Sequence, residues 1–317
     1  MPLDDGGMPP GDGVMLLDDR QISARLSPRG AVAAMRQAIT DAERGTLAAP
    51  ARVTSDLGDG RLVFTTGARA GQWFGYRSYD TFGAEPGAQV VVVHDRHTGL
   101  VKAIAVGHEL GRCRTGAIGG VAADVLARPD AAELAMIGTG PQAWAQLWAI
   151  SSVRDLTGVR VWSRDAGHRE SFARRAETEL GLRASPARGA QDAAHAADIV
   201  ILATSSPVPV LDPSWLADGC HVTSLGPKQQ GRAEFGAALA ARAGVLVTDS
   251  LAQAHGYQPP FVLDGTPQMG RLVSLGSVIE GAAPGRTGPG QVTLFCSVGL
   301  AGTEVHLLAS LTGQQTG

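Results

Sequence analysis

Residues 132–148 read AELAMIGTGPQAWAQLW, and this stretch decides the fold. Leu134, Ala135, Met136 and Ile137 make a short apolar run of the kind a buried parallel strand shows. The run breaks at Gly138-Thr139-Gly140-Pro141-Gln142-Ala143 and resumes at helical spacing through Ala145, Leu147 and Trp148. Strand, glycine turn and helix form the context in which G-x-G-x-x-[GA] points to a dinucleotide. Gly138 allows the tight turn, Gly140 lets backbone approach a pyrophosphate, and Ala143 is small enough for the helix to pack on the strand. The first-turn amides then face the phosphates, aided by the positive end of the helix dipole. In a chain with 42 glycines among 317 residues the glycine spacing alone carries little, so the weight rests on the flanking strand and helix.

The surrounding chain fits that reading. Its length favours two domains, or one large one, and 44% hydrophobic residues with a mean hydropathy near zero suit a globular protein with ample core. A net charge of −3 points away from nucleic acid and from a membrane surface. No apolar stretch is long enough to span a bilayer. Residues 1–13 carry no basic-then-apolar signal pattern and read as a disordered tail. Cys113, Cys220 and Cys296 share no metal or redox spacing, which suits reduced thiols in a cytoplasmic protein. Only Lys102 and Lys228 among the 27 basic residues are lysines, so a single arginine carries little meaning here and a lysine slightly more.

Residues 14–17 suggest a short strand, and Ser27-Pro28 opens a helix that continues to Glu43. Hairpin-like strands follow at 61–65, 73–82, 89–95 and 100–106. These residues predict an α+β unit with an antiparallel sheet. A helix at 112–126 stops before Pro129. From Ala132 onward strands at 134–137, 159–162, 199–203, 222–225 and 245–248 alternate with helices, which predicts a doubly wound parallel sheet. The domain reading is therefore a substrate-binding and dimerisation domain at 14–126, a Rossmann domain at 127–296, and a C-terminal segment, 297–317, that returns to the first domain.

The end of the second Rossmann strand chooses between NAD and NADP. An acid there accepts hydrogen bonds from the ribose hydroxyls and repels a 2′-phosphate. Here Trp162 runs into Ser163 and Arg164: a neutral donor, then a guanidinium suited to grip a phosphate. The expectation is NADP(H). Asp165 becomes the ribose acid only if the loop shifts by two residues. Thr204, Ser224 and Gly226 complete the expected cofactor contacts.

Taken together, Pro50-Ala51-Arg52, Cys113-Arg114-Thr115-Gly116-Ala117, the glycine loop, Ser163-Arg164, Ala197-Asp198-Ile199-Val200, Pro284-Gly285-Arg286-Thr287 and residues 293–299 (TLFCSVG) resemble the ornithine cyclodeaminase/mu-crystallin family. The pieces fall in the family's order over about 14–311. The resemblance implies a homodimer formed through the N-terminal domain and a small imino, keto or amino acid as substrate. It implies that Arg52 pairs with the substrate α-carboxylate, that Arg114 is a second carboxylate or catalytic arginine, and that Ser297 and Gly299 lie near the nicotinamide. The family's catalytic lysine falls on Arg77, and the cyclodeaminase aspartate falls on Lys228.

Those two departures bear on the chemistry. Arginine keeps its proton near neutral pH, so Arg77 suits carboxylate binding better than acid–base work. Lys228 cannot activate water as an aspartate could. The expected function is therefore NADPH-dependent reduction of a small α-imino or α-keto acid. Arg52, Arg77 and Arg114 would hold carboxylate, and Lys228, desolvated among cations with a lowered pKa, would donate a proton. Tyr76 and Tyr79 are alternative donors. Two other readings remain open: a mu-crystallin-like NADP(H)-binding protein, and a cyclodeaminase with tightly held NAD. His94 and His97 bracket a turn without a third ligand, so no metal is expected. His108, Glu109 and Arg112 either line the pocket or pack the helix entry. Glu304 and His306 read as structural.

Overall fold

The computed structural model describes residues 13–83 and 89–313. The described residues divide into two compact units: residues 13–26, 46–83, 89–111 and 301–313, and residues 27–45 and 112–300. The expected N-terminal tail lies, but for Gly13, outside the described residues.

The first unit is built on a seven-stranded sheet: β1 (Met15–Leu17), β2 (Leu47–Ala48), β3 (Val53–Asp56), β4 (Arg61–Arg69), β5 (Trp73–Asp80), β6 (Gln89–Asp95) and β7 (Val101–Gly107). Its order is β1-β7-β6-β5-β4-β2, with β3 also on β4. The run Val90-Val91-Val92-Val93 favours extended backbone because β-branched side chains pack well on a pleated surface. The sheet is mixed, not purely antiparallel as expected: β1 pairs parallel with β7, Met15 opposite Ala103. A helix at Asp19–Arg25 lies between β1 and the next element, and the sequence reading missed it. Its signal was a capping box in which Asp18 accepts from the Gln21 N–H and the Gln21 side chain accepts from the Asp18 N–H. The helix Thr303–Thr312 returns to this unit and packs on β4 to β7. Gly75 makes the close approach feasible, since a Cβ there would lie 2.7 Å from Val305 Cγ1 and 2.1 Å from Val92 O.

The second unit holds an eight-stranded sheet: β8 (Glu133–Ile137), β9 (Gly158–Trp162), β10 (Ala184–Pro186), β11 (Ile199–Leu202), β12 (His221–Ser224), β15 (Val245–Thr248), β16 (Leu272–Ser274) and β17 (Thr293–Cys296). A short ribbon, β13 (Lys228–Gln229) with β14 (Arg232–Ala233), follows β12. The large sheet runs β10-β9-β8-β11-β12-β17-β15-β16, every pairing parallel. The extended segment at 293–296 is a central strand, between β12 and β15. Side chains alternate between two cores, as a sheet covered on both faces requires. Leu134, Met136, Val159, Val161, Ile199 and Ile201 face Leu147 and Phe172, while Ala135, Ile137, Val200, Leu202 and Val222 face Phe235 and Leu239. The doubly wound parallel sheet is thus the observed architecture.

The domain boundaries differ from those expected. The helix Pro28–Glu43 and most of the helix Glu109–Leu126 belong to the second unit, so the division falls at residues 111 and 112 instead of 126 and 127. Side-chain pairing explains this. Arg36 pairs with Asp124, Arg44 Nε lies 2.7 Å from Glu280, and Ser274 Oγ donates to Glu43 at 2.7 Å.

Candidate functional site

The chain leaves β8 and moves outward to β9 and β10, then returns to the other side of β8 for β11 and β12. The direction of winding reverses between β8 and β11, and a crevice opens at the carboxyl ends of strands at such a point. A cavity of about 860 Å³ lies there, within the range of small-molecule and cofactor sites. Its wall includes Gly138, Thr139, Gly140, Pro141 and Gln142, then Ser163 and Arg164, then Thr204 and Gly226. The structure therefore gathers residues from four strand ends that are up to 88 positions apart in the chain (226 − 138).

The glycine loop has two distinct jobs. Gly138 sits at φ +113°, and a Cβ there would come within 2.1 Å of Ala203 O, so the turn excludes any side chain. At Gly140 a Cβ would meet nothing within 4 Å; the space in front of it is open. Gly140 is also the N-cap of the helix Pro141–Ile150 and provides no side-chain cap. No intrahelical acceptor exists for the Gln142 and Ala143 amides of that first turn, the end of a helix that favours an anion. Ala143 is fully buried and does not line the cavity. It fills the contact between helix and strand, as its size suggested. These residues fit a dinucleotide.

At the β9 end, Ser163, Arg164, Asp165 and His168 line the cavity. Asp165 caps the helix Ala166–Leu180 by accepting from the His168 N–H at 2.8 Å, and this bond holds its carboxyl below the usual range. Ser163 Oγ donates to Asp165 O at 2.8 Å. Arg169 Nη1 donates to Ser163 O at 3.0 Å. The acid is thus engaged in starting a helix, and Arg164 is the cation beside it.

Ser224 is buried and does not line the cavity; its hydroxyl donates to Glu234 at 2.8 Å. Ser297 and Gly299 follow β17. Asp249, at the end of β15, collects this segment: it accepts from the Val298 N–H at 2.8 Å, from the Gly299 N–H at 2.9 Å and from Ser297 Oγ at 3.4 Å. Burial raises the Asp249 pKa, against these amides and the neighbouring Arg114 and Lys228. Arg114 stands over the same turn, with Nη1 3.7 Å from where a Gly299 Cβ would be.

Lys228 differs from its expected setting. It is 2% exposed, lies under the cavity instead of lining it, and donates from Nζ to Gly226 O at 2.6 Å. Burial lowers its pKa in the expected direction. Its charged surroundings are opposite to those expected: Glu234, Cys296 and Asp249 all favour its protonated form. The cations foreseen around it are replaced by carboxylates brought in from β14 and β15.

Arg52 and Arg77 belong to the first unit. Arg52 is exposed, between β2 and β3. Arg77, on β5, donates from Nη1 to Glu304 and from Nε to Gln89, each at 2.9 Å, and its guanidinium lies 4.4 Å from the Tyr79 ring centre. Glu304 is therefore the structural partner of Arg77.

The sequence reading missed Glu234, Asp249 and His168. Asp249 had a legible signal, an acid at the carboxyl end of a parallel strand. Glu234 and His168 had none. Among the described residues no group of three or more His, Cys, Asp and Glu could hold a metal ion, and no helix is long and apolar enough to cross a membrane.

A model of the ornithine cyclodeaminase/mu-crystallin family matches residues 15–312. A putative dehydrogenase of Rhizobium meliloti is 33% identical, covering 69% of this chain and 68% of the relative. A Delta(1)-pyrroline-2-carboxylate reductase of Bacillus cereus is 32% identical, covering 68% of this chain and 67% of the relative. An archaeal alanine dehydrogenase dimer with bound NAD superposes with a TM-score of 0.84 at 25% identity, covering 95% of each chain.

Proposed function

Because the chain belongs to the ornithine cyclodeaminase/mu-crystallin family, we propose that it is a nicotinamide-dependent reductase of a small α-imino or α-keto acid. One observation carries the choice within the family. Where the resemblance puts a water-activating aspartate, the chain has Lys228, a buried ammonium bonded to Gly226 O. Deamination by water lacks its base there, whereas hydride transfer to C=N needs none.

The residues divide the work as follows. Gly138 and Gly140 admit the pyrophosphate, and Arg164 with Ser163 receives the adenosine end. Arg164 favours a 2′-phosphate, so the cofactor in this reading is NADP(H). The reduced nicotinamide supplies the hydride when bound. Arg114 holds the substrate carboxylate, kept beside the Gly299 turn by the Asp249 charge. A protonated imine accepts hydride at carbon and becomes the amine without a further proton from the protein, which removes the need for the acid–base lysine that Arg77 replaces. Arg52 and Arg77 are further carboxylate candidates on family resemblance, and Arg77 brings its own carboxylate, Glu304. Two copies of the chain form the working assembly.

The test is NADPH oxidation with cyclic imino acids, and with keto acids supplied together with ammonia or methylamine. Cyclic imino acids come first because of the pyrroline-carboxylate reductases among the relatives. Turnover with an imino acid, and a KM raised about tenfold or more by Arg114→Ala, is the expected result. NADPH bound tightly without turnover would favour a binding protein. Ammonia released from ornithine without added cofactor would overturn the reductase reading. Arg164→Ala should weaken NADPH about tenfold and leave NADH nearly unchanged.

A further inference from the structure

Glu234 is fully buried, lies outside the cavity wall, and yet is bonded to three residues on one side of it. The ribbon β13–β14 carries the chain away from β12 and turns it back, so that Glu234 arrives beneath the ends of β11 and β12. One carboxylate oxygen accepts from the Thr204 N–H at 3.0 Å and from Thr204 Oγ1 at 2.9 Å. The other accepts from Ser224 Oγ at 2.8 Å and from the Gly226 N–H. The backbone adds two more ties. Glu234 N–H donates to Pro227 O at 2.9 Å, and Glu234 O accepts from the Val210 N–H at 2.9 Å. Thr204, Val210 and Gly226 all line the cavity. Two loops that follow different strands are thus fastened to one side chain.

An anionic strut of this kind needs a counter-charge, because an isolated buried carboxylate is costly. Lys228 supplies it. Its charge is coupled to Glu234, and its ammonium donates to Gly226 O, the same residue whose N–H Glu234 receives. Gly226 is clamped at both ends of one residue. Its own lack of a side chain is part of the fit, since a Cβ would lie 2.3 Å from both Glu234 Oε2 and Thr204 O.

In a doubly wound sheet a dinucleotide lies across the crevice. The adenosine half here falls on the β9 side, at Ser163 and Arg164, and the nicotinamide half falls on the β11–β12 side. We propose that Glu234, with Lys228 as its counter-ion, is the positioning residue for the nicotinamide half of the cofactor and has no part in holding the adenosine half. This rests on the reading of the cavity as a nicotinamide dinucleotide site. It also gives Lys228 a role under the cavity floor in place of proton donation.

Glu234→Gln tests it. Each carboxylate oxygen accepts from one backbone N–H, a group that cannot turn round to become an acceptor. Whichever way the amide of Glu234→Gln is placed, its NH₂ faces one of those N–H groups, and one loop is released. The measurement compares the dissociation constants of NADPH and of its adenosine half, adenosine 2′,5′-bisphosphate (NADH and AMP if the wild type prefers NADH). The expected result is about tenfold weaker binding of the dinucleotide with the adenosine fragment changed less than about twofold. Ser224→Ala, which removes one neutral donor and leaves the carboxylate, should show the same selectivity at about threefold and serves if Glu234→Gln does not fold. Equal weakening of both ligands, or no change in either, would overturn the proposal. Wild-type protein that binds neither dinucleotide would overturn the cofactor reading beneath it.

Discussion

Gly138 and Gly140 stand two residues apart in one motif, and the structure constrains them differently. Gly138 is needed by the fold itself, since its positive φ and the 2.1 Å approach of Ala203 O leave no room for Cβ. Gly140 has extended backbone, φ −76° and ψ 177°, with open space beyond it, so only a ligand requires it to be glycine. Gly140→Val should therefore cost no more than about 1 kcal/mol of stability, the loss of a favoured N-cap residue, while weakening NADPH at least tenfold, roughly 1.4 kcal/mol. Gly138→Ala should lower stability and binding together. Thermal melts with and without NADPH separate the two, and a Gly140→Val protein that binds normally would remove the glycine loop from the cofactor site. Both glycines were legible in the sequence, because a turn between strand and helix is local. Glu234 was not, since nothing in Arg232-Ala233-Glu234-Phe235 marks a carboxylate as buried.

The central strands carry the next scale. β12 lies between β11 and β17, and its first residue, His221, is buried with both ring nitrogens against hydroxyls: Nδ1 2.9 Å from Thr293 Oγ1 and Nε2 3.0 Å from Thr223 Oγ1. Burial pushes its pKa down from 6.5 to about 3, with Arg286 and Arg154 adding to the effect. The unfolded chain takes up a proton below its ordinary pKa that the folded chain refuses until about pH 3. Stability therefore falls as the pH drops through that window, by up to roughly 1.4 kcal/mol per pH unit from this residue. His221→Gln should flatten the fall between about pH 6 and pH 4 in urea unfolding. An unchanged slope would mean that other groups dominate acid sensitivity. The strand was readable from its place in the alternation of strand and helix. The partnership of His221 with Thr293 was not, because it depends on β17 entering the sheet beside β12, and the sequence presents residues 293–296 only as an extended stretch.

For the whole molecule, the proposed pairing of two chains predicts a solution mass of twice 32.6 kDa, measured by light scattering on the eluting peak. A monomer at micromolar concentration would refute it. The class of fold was available from the sequence, as was the glycine turn that lines the cavity. The alternation of strand and helix, the glycine turn and the Ser163-Arg164 strand end are all expressed over a few neighbouring residues, where periodicity and turn chemistry operate. The family followed from a set of such short motifs in order. Tertiary structure decided what the charged residues do. Arg77 is held by Glu304, which the last helix brings back across the sheet. Lys228 is balanced by Glu234 and Asp249, which arrive from later strands. The domain limits moved for the same reason, through Arg36 with Asp124 and Arg44 with Glu280. Charge and burial depend on which distant segments the chain folds back against, and no local pattern records that.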